Sequence, residues 1–107
     1  MAGQSWSIMI KGSPASFEAD VYGVDPGQPL PAQIGDLVCW NNQTGEAHQI
    51  FVTSGKNPRE LTEEIAEYTS SFPGYVTQQD DVDSTTGTID YQCSSHPEEK
   101  GQIKVVS

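Results

Sequence analysis

Leu37-Val38-Cys39-Trp40 is apolar at every position, and this short run constrains the fold more than any other stretch of the chain. In an extended backbone successive side chains point to opposite faces. Val38 and Trp40 therefore share one face, and Leu37 and Cys39 share the other. A strand over 36–42 that is apolar on both faces belongs inside a sheet, with material packed on each side. Other segments supply the partners. Trp6, Ile8 and Ile10 alternate with Ser5, Ser7, Met9 and Lys11, a period of two that marks a half-buried strand. Phe17, Ala19 and Val21 alternate with Glu18, Asp20 and Tyr22. His48, Ile50 and Val52 share one face of a further strand. Two more strands, about 87–93 and 101–106, close the chain.

Turn chemistry separates these runs. Gly12-Ser13-Pro14 ends the first, and Asn41-Asn42-Gln43-Thr44-Gly45 follows the central one. Residues 23–33, with Asp25-Pro26-Gly27, read as a loop or an irregular edge. One helix is expected over 57–68. Asn57 suits the cap, Pro58 the first helical position, and Glu60 completes a capping-box spacing. Leu61, Ile65 and Tyr68 then fall on one helical face, with Glu63, Glu64 and Glu67 solvated, and Ser70-Ser71-Phe72-Pro73-Gly74 ends the segment. Asp80-Asp81-Val82-Asp83 lacks the spaced oxygen ligands, the glycine and the closing glutamate of a calcium loop, so it reads as an acidic turn. Seven or eight short strands with one short helix make an all-β sandwich in one domain, 1–107.

Charge narrows the partners. Fifteen Asp and Glu against five Lys and Arg give a formal charge of -10, which excludes phosphate-backbone binding as a natural role and favours a basic protein partner. No apolar run approaches the roughly 20 residues of a membrane span. The start, Met1-Ala2-Gly3-Gln4-Ser5, shows no leader, and an exported protein cloned without one has the same appearance.

The chemistry concentrates near the C-terminus. Cys93-Ser94-Ser95-His96-Pro97-Glu98-Glu99-Lys100-Gly101 sets a thiol, an imidazole and a carboxylate at three-residue steps, between two strands. The chain's other histidine, His48, begins a strand directly after a polar loop. Thiolate with two imidazoles is a soft-to-borderline donor set, suited to copper or zinc and not to magnesium or calcium. A zinc site would draw four firm ligands from Cys93, His48, His96 and Glu99. A disulfide between Cys39 and Cys93 is the plainer use of two cysteines, but Cys93 sits in a ligand context.

Two stretches resemble the cupredoxins, specifically the small plastocyanin–amicyanin type. One is Gly35-Asp36-Leu37-Val38-Cys39-Trp40-Asn41-Asn42 followed by His48. The other is Gly87-Thr88-Ile89-Asp90-Tyr91-Gln92-Cys93 with the Cys-x-x-His-Pro-x-x-Lys-Gly loop. The resemblance implies a Greek-key β-sandwich holding one copper ion, a role as an electron carrier, a redox partner protein and a periplasmic or otherwise extracytoplasmic location. It makes His48, Cys93 and His96 the equatorial ligands, with His96 nearer the surface.

One departure from that pattern stands out. Glu99 occupies the place of the axial methionine, and Met1 and Met9 lie far from the loop. A carboxylate is a hard, ionisable donor that favours Cu(II), so a red or green, low-potential site is expected in place of an intense blue one. A displaceable Glu99 would open a position to nitric oxide or a reactive oxygen species, the alternative function. Gln49 stands where many cupredoxins carry an asparagine that ties the ligand loops together. Ser94 or Ser95 is a candidate donor to the Cys93 sulfur or to the 45–47 loop.

Overall fold

The computed structural model describes residues 3–106 apart from Ser13, Pro26, Ser71 and Ser95, and of Phe72 and Pro73 only the backbone. Among the described residues nine strands form two sheets: β1 Ser5–Lys11, β2 Ser16–Ala19, β3 Leu30–Ala32, β4 Leu37–Asn42, β5 Ile50–Val52, β6 Arg59–Glu60, β7 Phe72–Val76, β8 Thr88–Cys93 and β9 His96–Val105. The first sheet has the order β2-β1-β4-β7 and the second β3-β9-β8-β5-β6. The chain crosses between them repeatedly. Both sheets are mixed, since β1–β4 and β3–β9 are parallel and the other ladders antiparallel.

β4 lies inside its sheet, between β1 and β7, but only the Val38–Trp40 face is fully covered; Leu37 and Cys39 on the other face are half-buried, not packed under a second layer. Val38 and Trp40 are fully buried between the sheets with Ile8 and Ile10 from β1, and Ile50, Val52, Ile89 and Ile103 meet them from the other sheet. The Tyr91 ring packs edge-on against both Phe17 and Trp40, at centroid distances of 4.9 and 5.8 Å. It also lies over Gly101, its partner across β8–β9. A Cβ on Gly101 would sit 2.5 Å from the tyrosine hydroxyl oxygen, so only glycine fits there.

The start of β4 is fixed by Asp36, which is buried. Its carboxylate accepts hydrogen bonds from the Trp6 indole N–H (2.8 Å), the Gln33 amide (2.9 Å) and the Gln4 amide (3.1 Å). Burial alone would raise its pKa, but these donors outweigh that and hold the carboxyl below its usual range. The Gly35-Asp36 pair thus joins the β1 start, the β3–β4 turn and β4, with Gly35 taking the positive φ of 95° that the turn needs.

The helix expected over 57–68 does not form. Its backbone pairs instead with β5: Phe51 opposes Glu60 and Val52 opposes Arg59, and the Leu61 amide donates to the Ile50 carbonyl at 2.7 Å. His48 and Ile65 exchange two backbone bonds, of 3.0 and 2.7 Å. An isolated helix of this length is marginal, and long-range pairing overrides its local signals. Tyr68, placed on the buried face by helical spacing, is exposed with a φ of +55°. The one helical turn described is a 3-10 turn, Gln79–Asp81, in the acidic stretch. Two edge strands, β3 and β7, run through Pro31 and Pro73, where proline had signalled loops; an edge tolerates proline because one side of its backbone needs no partner.

Asp81 clasps this irregular segment to the sandwich. Its side chain is fully buried and receives both Arg59 guanidinium nitrogens, at 2.7 and 3.2 Å, and the Tyr75 hydroxyl at 2.5 Å. Burial favours the neutral acid, but the Arg59 and Tyr75 bonds outweigh it and lower the Asp81 pKa. A depressed folded value stabilises the protein above the unfolded carboxylate pKa of about 3.9, and that contribution is lost as pH falls through the folded value. Arg59→Met strands the Asp81 charge and is expected to cost about 3–5 kcal/mol at pH 7. Denaturant titrations at pH 7 and pH 3 should show the variant's deficit shrinking in acid.

Candidate metal centre

Cys93 ends β8 opposite Ile50, and His48 lies two residues before Ile50 on the same strand path. The period of two brings both side chains to the interior face. The Ser94 amide donates to the Gln49 carbonyl at 2.7 Å and locks the Cys93 turn to the His48 segment. This backbone bond ties the two segments together, while the Gln49 side chain turns away and donates to the Thr62 carbonyl at 3.1 Å. The Ser94 hydroxyl points to Glu60, at 3.4 Å, and Ser95 lies outside the described residues.

A bulge delivers Glu99. Cys93 pairs with His96 and Gln92 with Lys100, so Pro97, Glu98 and Glu99 leave the ladder between these pairs. Glu99 turns inward and is only 6% exposed, while its neighbours on both sides are exposed. One oxygen, Oε2, accepts the Ala15 amide of the β1–β2 turn at 2.7 Å. The other, Oε1, is buried with no hydrogen-bond partner. It lies 3.6 Å from His48 Nδ1, and the same nitrogen lies 3.3 Å from Cys93 Sγ.

His48, Cys93 and Glu99 thus present one donor atom each within 4.8 Å of one another, all three buried. Among the described residues this is the group able to hold a metal ion. His96 stands apart. Its side chain is 49% exposed, and Nδ1 lies 4.0 Å from Glu98 Oε1 at the surface. Met9 lies on β1 opposite Glu18 and Asn41, and Met1 is outside the described residues. Cys39 is a half-buried free thiol on the outward face of β4, and Cys93 is also free.

The imidazole of His48 is held from behind. Its Nε2 lies 3.0 Å from Thr44 Oγ1, which lies 2.7 Å from Asn42 Oδ1. Asn42 is buried, and its Nδ2 donates to the carbonyls of Glu46, Ala66 and Ile65 at 2.8, 3.1 and 3.2 Å. Sequence reasoning read Thr44 only as a turn former, and Asn42 as a turn former and as the last residue of the 35–42 stretch that resembles the cupredoxins. Ala15 left no signal at all, being 84 residues from Glu99 in sequence.

The donor chemistry tests what this arrangement accepts. A buried carboxylate oxygen without a partner costs free energy. Beside a thiol and an imidazole it completes a mixed sulfur, nitrogen and oxygen set that suits copper or zinc. A cleft of about 650 Å³ runs along Phe17, Leu30, Tyr91 and Lys100, and it is lined by none of His48, Cys93 and Glu99. The three donors are themselves buried.

The same architecture recurs among solved structures. A reduced proline-to-phenylalanine variant of amicyanin is similar over 95% of this chain and 82% of its own, with a TM-score of 0.64 at 20% identity. A proline-to-glycine variant of amicyanin, in its reduced Cu(I) form at pH 4, is similar over 99% of this chain and 86% of its own, with a TM-score of 0.63 at 18% identity. The chain has the cupredoxin fold. No protein-family model and no curated protein matches its sequence.

The orphaned oxygen predicts the behaviour of the metal-free protein. Glu99→Gln keeps an acceptor for the Ala15 amide and sets an N–H donor toward His48 Nδ1. It is expected to stabilise the metal-free protein by about 1 kcal/mol, measured by chemical denaturation with a chelator present.

Proposed function

We propose that this chain is a one-electron carrier that holds one copper ion through Cys93, His48, His96 and Glu99. The observation that carries the reading is the buried convergence of Cys93 Sγ, His48 Nδ1 and the unpartnered Glu99 Oε1 in a cupredoxin fold. His96 is assigned as the remaining donor because its backbone pairs with that of Cys93 across the turn. Bound copper would supply a Cu(II)/Cu(I) couple.

The residues have separate tasks. Cys93, fully buried at the end of a central strand, gives a strong thiolate donor in a rigid place. His48 is the inner anchor. Glu99 contributes a hard oxygen whose position is fixed by the Ala15 amide, which favours the oxidised ion and lowers the potential. A red or green site follows from that donor in place of an intense blue one. His96, on the surface beside Glu98, marks the face where a redox partner meets the protein. The charge of -10 calls for a basic docking face on that partner. An extracytoplasmic location agrees with this reading.

Cu(II) added to the metal-free protein should produce an intense visible thiolate-to-copper band with one equivalent bound. Cys93→Ser should abolish it. Protein that binds Zn(II) but shows no such band with Cu(II) would overturn the reading. Glu99→Met should raise the reduction potential and shift the spectrum toward blue, as read by voltammetry and absorption. An unchanged potential and spectrum would remove Glu99 from the ligand set. His96→Ala should alter the copper spectrum; an unaltered one would remove His96.

A further inference from the structure

The hydrogen-bond chain behind His48 has one consistent assignment of protons. Asn42 is oriented without ambiguity, because Nδ2 faces three carbonyl oxygens and must donate to them. Its Oδ1 is therefore an acceptor and takes the Thr44 amide at 3.0 Å. Thr44 Oγ1 lies 2.7 Å from that oxygen and 3.0 Å from the Glu46 carbonyl oxygen, and neither can donate. A hydroxyl has a single proton. That proton goes to one of these two oxygens, Asn42 Oδ1 being the nearer, and neither choice leaves a proton for His48. Toward His48, Thr44 then offers only a lone pair. The Glu46 amide at 3.3 Å points its N–H at the same oxygen and agrees with this polarity.

We propose that Thr44, oriented by Asn42, is a positioning residue that fixes His48 as the Nε2–H tautomer and so leaves Nδ1 as a bare donor facing Cys93 and Glu99. His48 Nε2 donates to Thr44 Oγ1 at 3.0 Å. The lone pair of Nδ1 then points at Cys93 Sγ, 3.3 Å away, whose thiol proton it accepts until a metal replaces that proton. The protein holds the imidazole in its ligating state before any metal arrives. Nothing on the metal side is needed for this, since each bond in the chain is made within the protein. The claim deepens the metal-site reading but does not depend on copper being the ion.

The strand after Thr44 explains why the device is placed here. His48 is 3% exposed, so no water need compete for Nε2. Asn42 bridges β4 to the Ile65–Ala66 segment, and Ile65 pairs with the His48 backbone, so the same amide that aims Thr44 also holds the segment bonded to His48. An error in either position tilts the ring and changes its proton.

Long-range nitrogen–proton NMR on ¹⁵N-histidine protein, metal-free, tests the proposal directly. His48 should appear as a single Nε2–H tautomer. Thr44→Val, close in shape but without the hydroxyl, should admit the Nδ1–H tautomer and weaken Cu(II) or Zn(II) binding by about 10–100-fold. Thr44→Ser should restore both. A wild-type His48 that carries its proton on Nδ1 overturns the proposal, whatever the variants do. So does a folded Thr44→Val protein with an unchanged tautomer and affinity. Should Thr44→Val fail to fold, the wild-type tautomer and the Thr44→Ser affinity still decide. A wild-type Nε2–H tautomer in a protein that shows no copper–thiolate band would uphold Thr44 and overturn the copper reading alone.

Discussion

Ile50 opposes Cys93 across the β5–β8 ladder, and the geometry of the site follows from that register. Side chains alternate along a strand, so a slip of one residue would turn Cys93 outward and away from His48. The slip is prevented on three sides. Ile50 and Val52 are fully buried and cannot change faces without exposing apolar surface. The Ser94 amide grips the Gln49 carbonyl. Thr62 holds the other edge of β5, where its Oγ1 accepts a hydrogen bond from the Ile50 amide at 3.1 Å. Register is thus the means by which a core of isoleucine and valine positions a thiol and an imidazole.

Glu99 shows the opposite strategy. It is not carried by strand alternation but by an interruption of it, and its carboxylate is aimed by an amide from the far end of the chain. A carboxylate buried with one oxygen unsatisfied stores unfavourable free energy in the metal-free fold. Well-packed β-strands on either side are what keep such a group from relaxing into solvent. The folded protein therefore carries at this point a cost that a cation bound to that oxygen would remove.

Much of this was legible in the sequence, and the reasons differ by residue. Gly35 and Asp36 were readable as part of the stretch that resembles the cupredoxins, with Asp36 opening the strand over 36–42, but the partners of the Asp36 carboxylate were not. The alternation of Trp6, Ile8 and Ile10 was readable because burial on one face leaves a period of two. The segment 57–68 was misread because its capping signals are local and the bonds that decide its shape are not: Arg59 finds Asp81, and His48 finds Ile65. Pro31 and Pro73 hid two strands, since a proline announces a break and only topology reveals an edge. The inward turn of Glu99 and the outward face of His96 both depend on the β8–β9 bulge, which spacing alone does not disclose. Asn42 closes the 35–42 stretch of the resemblance, but nothing in the sequence tied it or Thr44 to His48, as turn residues and proton-directing residues are drawn from the same few types.

The four sheet edges have a consequence of their own. β3 and β7 each contain a proline, β6 has only Arg59 and Glu60, and β2 presents Glu18 paired with Lys11 at 3.1 Å. A neighbouring chain that tried to extend either sheet would meet a missing amide, a strand too short to grip, or a charged pair. With a large negative charge spread over the surface, copies of this chain repel before they touch. Edges of these kinds make the chain a poor template for copies of itself.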